Sequence, residues 1–260
     1  MRRVLVTFSG APYEATTRRI VEDGPRFGAD DVVVYDDLWL TTQDFYRQNE
    51  WLWRHPHRRG FGWYAWKPFV IWHALQRLDE GDVVLYVDAD TAPIAHLGAL
   101  FVKCEQDGGV MLFASEGHRQ SEWCKWDCYA AMGVDRFAPM DQQAGVARFM
   151  LFQRGPWKST QFLMEWLAYC VNPLANTFDL SVLGPERPEF VEHRAEQAIM
   201  TNLAHKYGLR LYREACEAGN GSARDRELYW QLFTQVNDDV AHVSFEPVGS
   251  SFFNVGVRLA

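Results

Sequence analysis

The run Val83-Val84-Leu85-Tyr86-Val87, set between Gly81-Asp82 and Asp88-Ala89-Asp90, constrains this chain more than any other feature. Five apolar residues without alternation read as a strand covered on both faces, the situation of a strand inside an α/β sheet. A helix pattern precedes it. Across 67–78, Val70, Ile71, Ala74, Leu75 and Leu78 fall on one helical face, Pro68 suits a first helical position, and Gly81 ends the segment. Near the start, 4–10 reads as a buried strand running into a turn, 14–22 as a helix and 31–35 as a second strand. Strand, helix and strand in that order favour parallel pairing. Downstream, 109–114 and 144–152 read as strands, and 160–171 and 194–207 as helices. The stretch 173–188, with Gly184 and three prolines, reads as a long loop of the kind that moves over a site.

At 260 residues the chain is long enough for one sizeable core, and 48% apolar with 23% charged residues is the balance of an ordinary globular protein. No apolar run approaches the roughly 20 residues that cross a bilayer. The opening Met1-Arg2-Arg3-Val4-Leu5-Val6 meets Thr7 and Ser9 too soon for a signal peptide. The expected setting is cytoplasmic, either free or peripheral at the inner face of a membrane. With 26 basic and 34 acidic side chains the formal charge is −8, which disfavours nucleic acid as a partner. Five cysteines without a C-x-x-C pair or zinc spacing read as reduced, buried thiols. Eleven Trp are an unusual count; most must be core, but the excess also suits a site that stacks sugars or bases.

Chemistry concentrates at Asp88-Ala89-Asp90. Two carboxylates one residue apart, leaving a buried strand, can reach one cation between them, and hard oxygen donors suit Mg²⁺ or Mn²⁺. Ligands of open α/β sheets bind at that end of the strands. A D-x-D alone is equally a solvated turn. Its context is more specific. Gly60-Phe61-Gly62-Trp63-Tyr64-Ala65-Trp66-Lys67-Pro68, then Gly81-Asp82 and the strand to Asp88-Ala89, resembles a family of bacterial nucleotide-sugar glycosyltransferases, many acting in surface-polysaccharide synthesis. Glu122-Trp123-Cys124-Lys125-Trp126-Asp127, Gln142-Gln143-Ala144-Gly145 and His193-Arg194-Ala195-Glu196-Gln197 resemble three further motifs of that family in order. The resemblance spans residues 4–208. Glu196 stands where the family pattern has Asp.

What the resemblance implies is a GT-A fold in a single domain, an α/β unit with a mixed, mostly parallel central sheet flanked by helices. Its nucleotide-sugar-binding half would cover about 1–115 and its acceptor-binding half about 116–260. The expected activity is metal-dependent transfer of a sugar from a nucleoside-diphosphate donor, a UDP-sugar first, to a glycan or lipid-linked acceptor. Asp88, Asp90 and, more loosely, His242 are the implied ligands of Mn²⁺ or Mg²⁺. Lys67, Trp66, Tyr64, Ala89, Lys125, Gln143 and Gln197 are the implied donor contacts, and Glu196 and Asp127 the implied catalytic acids or bases. Each has a plainer alternative: a solvated lysine, core aromatics, a helix-capping glutamate. A run of basic residues from Arg54 to Arg59 reads either as a solvated loop or as a docking patch for a diphosphate, an anionic acceptor or a membrane. Two rivals remain: a haloacid-dehalogenase-like phosphohydrolase, whose threonine spacing Thr91 does not match, and a carbohydrate-binding or degenerate transferase domain.

Overall fold

The computed structural model describes residues 1–10, 13–55, 60–134, 142–216 and 231–235. In chain order these form β1 (Arg3–Ser9), α1 (Glu14–Arg26), β2 (Asp31–Asp36), α2 (Asp37–Thr41), α3 (Asp44–Gln48), α4 (Glu50–Arg54), the single turn α5 (Gly60–Trp63), α6 (Trp66–Leu75), β3 (Val83–Val87) and β4 (Thr91–Pro93). There follow α7 (Gly98–Gln106), β5 (Val110–Arg119), α8 (Gln120–Trp123), α9 (Trp126–Met132), β6 (Gln143–Gln153), α10 (Trp157–Cys170), α11 (Pro173–Asn176), α12 (Ala195–Lys206), β7 (Leu211–Arg213) and β8 (Phe233–Gln235).

Six strands make one sheet in the order β2-β1-β3-β6-β5-β7. β1 pairs in parallel with β2 and β3, and β5 with β7. β6 runs antiparallel to both neighbours, β3 and β5. The sheet is therefore mixed but mostly parallel, flanked by helices, as expected for the fold class. β4 and β8 form a separate antiparallel pair.

Alternation along the strands divides the interior into two layers. Val4, Val6, Phe8, Val84, Tyr86, Met150 and Phe152 face one layer, with Val70, Ile71, Trp166, Phe162 and Ile199 from α6, α10 and α12. Leu5, Val83, Leu85, Val87, Phe149 and Leu151 face the other, with Ile20 of α1 and Leu100, Phe101 and Cys104 around α7. Every residue of β3 is fully covered, which is why its sequence shows no alternation. Much of the aromatic excess is scaffold: Trp53, Trp63, Trp66 and Trp166 are buried, and Tyr46–Trp53 and Phe45–Phe69 stack at 4.9 and 4.5 Å. All five cysteines are free and buried, as expected.

One stretch differs from expectation, and another carried none. The region 37–54 forms three short helices carrying aromatic residues, whose brief patterns are too short to show helical periodicity. The stretch 173–188 begins as α11 and continues as an irregular segment pinned to α9, not as a loose loop.

Candidate functional site

β1, β2 and β3 point the same way, so their carboxyl ends open onto one edge of the sheet. A cavity of about 740 Å³ lies there, within the size range of small-molecule sites. Gly10 follows β1, Asp37 follows β2, and Asp88, Ala89 and Asp90 follow β3 into its wall. Val146, Ala147 and Arg148 of the reversed strand β6, the start of α12 and the turn ending in Tyr64 close the other sides. The carboxylate pair thus sits where the sequence placed it.

Lys67 is the centre of the arrangement. Its residue is 2% exposed. Its Nζ donates to the carbonyl of Ala147 at 2.9 Å and lies 3.0 Å from both Asp88 Oδ1 and Glu196 Oε1. The rings of Tyr64, Trp66 and Tyr86 surround it at 5.4–5.9 Å. Burial works against the ammonium charge, but the two carboxylates outweigh it and hold the pKa above that of an ordinary lysine. Lys67 is therefore neither solvated nor a free phosphate-binding point charge; it bridges the D-x-D to α12.

Burial pushes the carboxyls upward. Glu196, itself buried, is raised to about 7, with Lys67 opposing the shift. Asp88 is also raised, by burial and by Asp90, against the pull of Lys67 and of the Tyr86 hydroxyl, which donates to Asp88 Oδ1 at 2.7 Å. Gln197 is used by the scaffold: its Oε1 accepts the Ala147 N–H at 3.3 Å. Thr201 Oγ1 accepts the Gly145 N–H at 3.0 Å one turn later.

The aromatic wall is built from strained backbone. Gly60, Phe61, Gly62, Trp63 and Tyr64 have φ of 57°, 49°, 75°, 51° and 58°, a left-handed turn five residues long. Each L-residue in that region costs about 1–2 kcal/mol. Packing holds it: Trp66 Nε1 donates to the Gly60 carbonyl at 3.3 Å, and Trp66 stacks on Phe8 at 3.9 Å. Ala195, at the opposite wall, has φ 45°. The four non-glycine residues with such φ among the described ones therefore all lie within or beside this cavity, the usual place for stored strain.

Several expected contacts lie elsewhere. Asp127 is outside the cavity. Its Oδ2 and Oδ1 accept the N–H groups of Val182 and Leu183 at 2.9 and 2.8 Å, so both oxygens clamp the 181–183 segment. Lys125 likewise donates to Thr177 Oγ1 and the Asp179 carbonyl at 3.3 and 3.2 Å. It lines a separate cavity of about 280 Å³, and burial lowers its pKa. Gln143 bonds the Ser115 carbonyl and is not in the main cavity wall. Gly145 is small for α12, not for a ligand: a Cβ there would lie 2.7 Å from Met200. Buried His193 accepts the Lys125 N–H at Nδ1 and bonds the Ala175 carbonyl through Nε2 at 2.8 Å. Burial, then Lys125, lowers its pKa to about 3, so it is neutral. His242, and residues 56–59 of the basic run, lie outside the described residues.

Arg148 is one of several cavity residues that sequence reading missed, with Tyr13, Asp37 and Phe178. It lies one residue beyond the Ala147 carbonyl, 3.6 Å from buried Glu214. An arginine in mid-strand carries no motif signal, and only the antiparallel register, which also has the Arg148 carbonyl accepting the Asp88 N–H at 2.7 Å, brings it here.

The donor chemistry present fits a divalent cation in part. Asp88 and Asp90 offer hard oxygens on one wall, and such ions commonly keep several water or phosphate ligands. Among the described residues no group of three or more His, Cys, Asp and Glu is placed to hold an ion. The described protein share of such a site is thus this pair, with Asp88 Oδ1 already bonded to Lys67 and Tyr86.

No protein-family model and no curated protein matches the chain. Among solved structures, mouse xyloside xylosyltransferase 1 in its apo form aligns over 92% of this chain and 98% of that one, at 10% identity and a TM-score of 0.48. The apo structure of the WbbM bifunctional glycosyltransferase aligns over 79% of this chain and 38% of that one, at 14% identity and a TM-score of 0.47. Both are glycosyltransferases by name. Likeness of this degree does not bear on the reaction of this chain, which has to be argued from its own residues.

Proposed function

We propose that this chain is a GT-A-type glycosyltransferase that takes a sugar from a nucleoside-diphosphate donor, a UDP-sugar first, with Mn²⁺ or Mg²⁺. The acceptor would be a hydroxyl of a glycan or a lipid-linked saccharide, in cell-surface polysaccharide synthesis. One observation carries the reading: Asp88 and Asp90 leave the carboxyl end of a fully buried strand into a cavity of about 740 Å³ with aromatic walls. A phosphohydrolase would not need those walls, and a plain sugar-binding module would not need the acidic pair.

A divalent ion bound at this pair would supply charge that stabilises a leaving diphosphate. The chain's own residues do the rest. Lys67 holds Asp88 in one orientation through its ammonium. Tyr64 and Trp66 line the cavity and would be the rings beside which a base or sugar packs. Glu196, raised to about 7, can hold or release a proton near neutral pH, which suits it to an acceptor hydroxyl. Arg148 adds a cation on the same wall as Ala147.

Calorimetric titration of UDP, GDP, CDP and dTDP, each with and without Mn²⁺, tests the reading. Tight binding of one nucleotide only with metal is expected, and Asp90→Ala should lose it while keeping the fold. Undiminished metal-dependent affinity in that variant would sink the metal assignment. No binding of any nucleotide would move the chain to the carbohydrate-binding or degenerate reading.

A further inference from the structure

Leu180, Val182 and Leu183 are 87%, 77% and 53% exposed, three large apolar side chains within four residues. They belong to the uncharged stretch Leu180-Ser181-Val182-Leu183-Gly184-Pro185. Asp127, 1% exposed, binds the N–H groups of Val182 and Leu183, and its own N–H donates to Ser181 Oγ at 3.1 Å. The Trp126 N–H donates to Glu186 Oε2 at 2.8 Å, and buried Lys125 holds the Asp179 carbonyl. Two buried charged side chains thus fix an apolar tip in the outward position. Leu180 itself lines the cavity of about 280 Å³, and Phe178, two residues earlier, lines both that cavity and the main one.

We infer that this tip inserts into the interfacial layer of a lipid bilayer and so sets the cavity mouth at the membrane surface. Three side chains are far too few for a stable protein interface, which buries about 800 Å² per partner. They suffice for a shallow, reversible interfacial contact, roughly 5–10 Å into the headgroup and acyl boundary. The tip is held rigid beforehand, so ordering it costs little on binding. Charge argues for the mode of contact: a chain of formal charge −8 is repelled by anionic headgroups, so the attachment is apolar rather than electrostatic. That the bilayer carries a lipid-linked acceptor rests on the transferase reading; the membrane contact itself does not.

The test is co-sedimentation of the full chain with phosphatidylcholine vesicles, at low salt and at about 1 M salt, where the Debye length is about 3 Å. The wild-type chain is expected in the pellet at both. Leu180→Ser alone should lower the partition coefficient roughly threefold, and the triple variant Leu180→Ser/Val182→Ser/Leu183→Ser roughly tenfold or more. Nucleotide titration of the same variants should match wild type, showing that the fold and cavity are intact. Wild-type protein left in the supernatant, binding abolished by salt, or a triple variant that pellets like wild type would overturn the inference. So would a concentration-dependent dimer in light scattering that the triple variant abolishes, since the tip would then be a contact between copies. Vesicle binding without nucleotide binding would defeat the transferase reading alone, and the reverse result would defeat this inference alone.

Discussion

The Glu196 carboxylate and the Lys67 ammonium lie 3.0 Å apart with 4% and 2% of their residues exposed, and the same ammonium meets Asp88. α12 and the D-x-D are therefore coupled through one buried cation. The Glu196 carboxyl is not independent of Asp88, whose charge adds to burial in raising its pKa.

Removal of that cation leaves two acids facing each other without compensation. Lys67→Met should cost about 3–5 kcal/mol of stability, read as a lowered urea midpoint, and should abolish metal-dependent nucleotide binding. Adding Glu196→Gln should recover part of the stability but not the binding. A single variant as stable as wild type would show that the charges are compensated elsewhere.

Glu196 gives the pH dependence a sign. Its pKa of about 7 in the fold exceeds the 4.5 of an ordinary glutamate, so the folded chain holds this proton more tightly than the unfolded chain. The group favours folding fully below pH 4.5, and that contribution is lost as the pH rises through 7. Relative to Glu196→Gln, wild type should therefore lose about 3 kcal/mol over that window. Denaturation of both proteins across the range measures it; parallel curves would mean that Glu196 titrates as an exposed acid.

Asp127 offers a clean separation of holding from chemistry. Asp127→Ala leaves the Val182 and Leu183 N–H groups without their acceptor and should cost about 2–3 kcal/mol. Proteolysis within 177–191 should accelerate, while nucleotide affinity stays within a factor of about 2 of wild type, a difference of roughly 0.4 kcal/mol. A large loss of affinity with an intact loop would return Asp127 to the site.

Gly62 tests the left-handed turn. A Cβ there would sit 2.3 Å from the Trp53 ring, at a φ of 75°. Gly62→Ala should destabilise the protein by at least about 1–2 kcal/mol and weaken nucleotide binding by disturbing Tyr64 and Trp66. An unchanged melting temperature and affinity would show that the turn does not shape the cavity.

The sequence made some of this legible and hid the rest for physical reasons. The covered strand 83–87, the carboxylates at its end and the helix after Lys67 follow from unbroken apolar runs and one helical stripe. The burial of Lys67 does not, since a lysine at a helix start has the same local pattern whether it faces water or two acids. Lys125 and Asp127 carried a motif but lacked any local sign of which element would lie above them; that depends on a segment more than 50 residues later. Gly60 and Gly62 entered only as part of a motif, which carries no local sign that Phe61, Trp63 and Tyr64 share their left-handed conformation. Arg148 entered through strand register, which single residues do not announce.

The reversed strand β6 also decides how the chain can be divided. The first 115 residues contain β3, but one edge of β3 is completed by β6, which begins at Gln143, and β5 (Val110–Arg119) crosses the division itself. A cut there would bare the backbone of the most deeply covered strand and split another. The two portions are thus not cartridges that could be transplanted singly into another chain. Produced separately, each would lack a partner for its own central strands, and folding would return only when both were present together to complete one sheet.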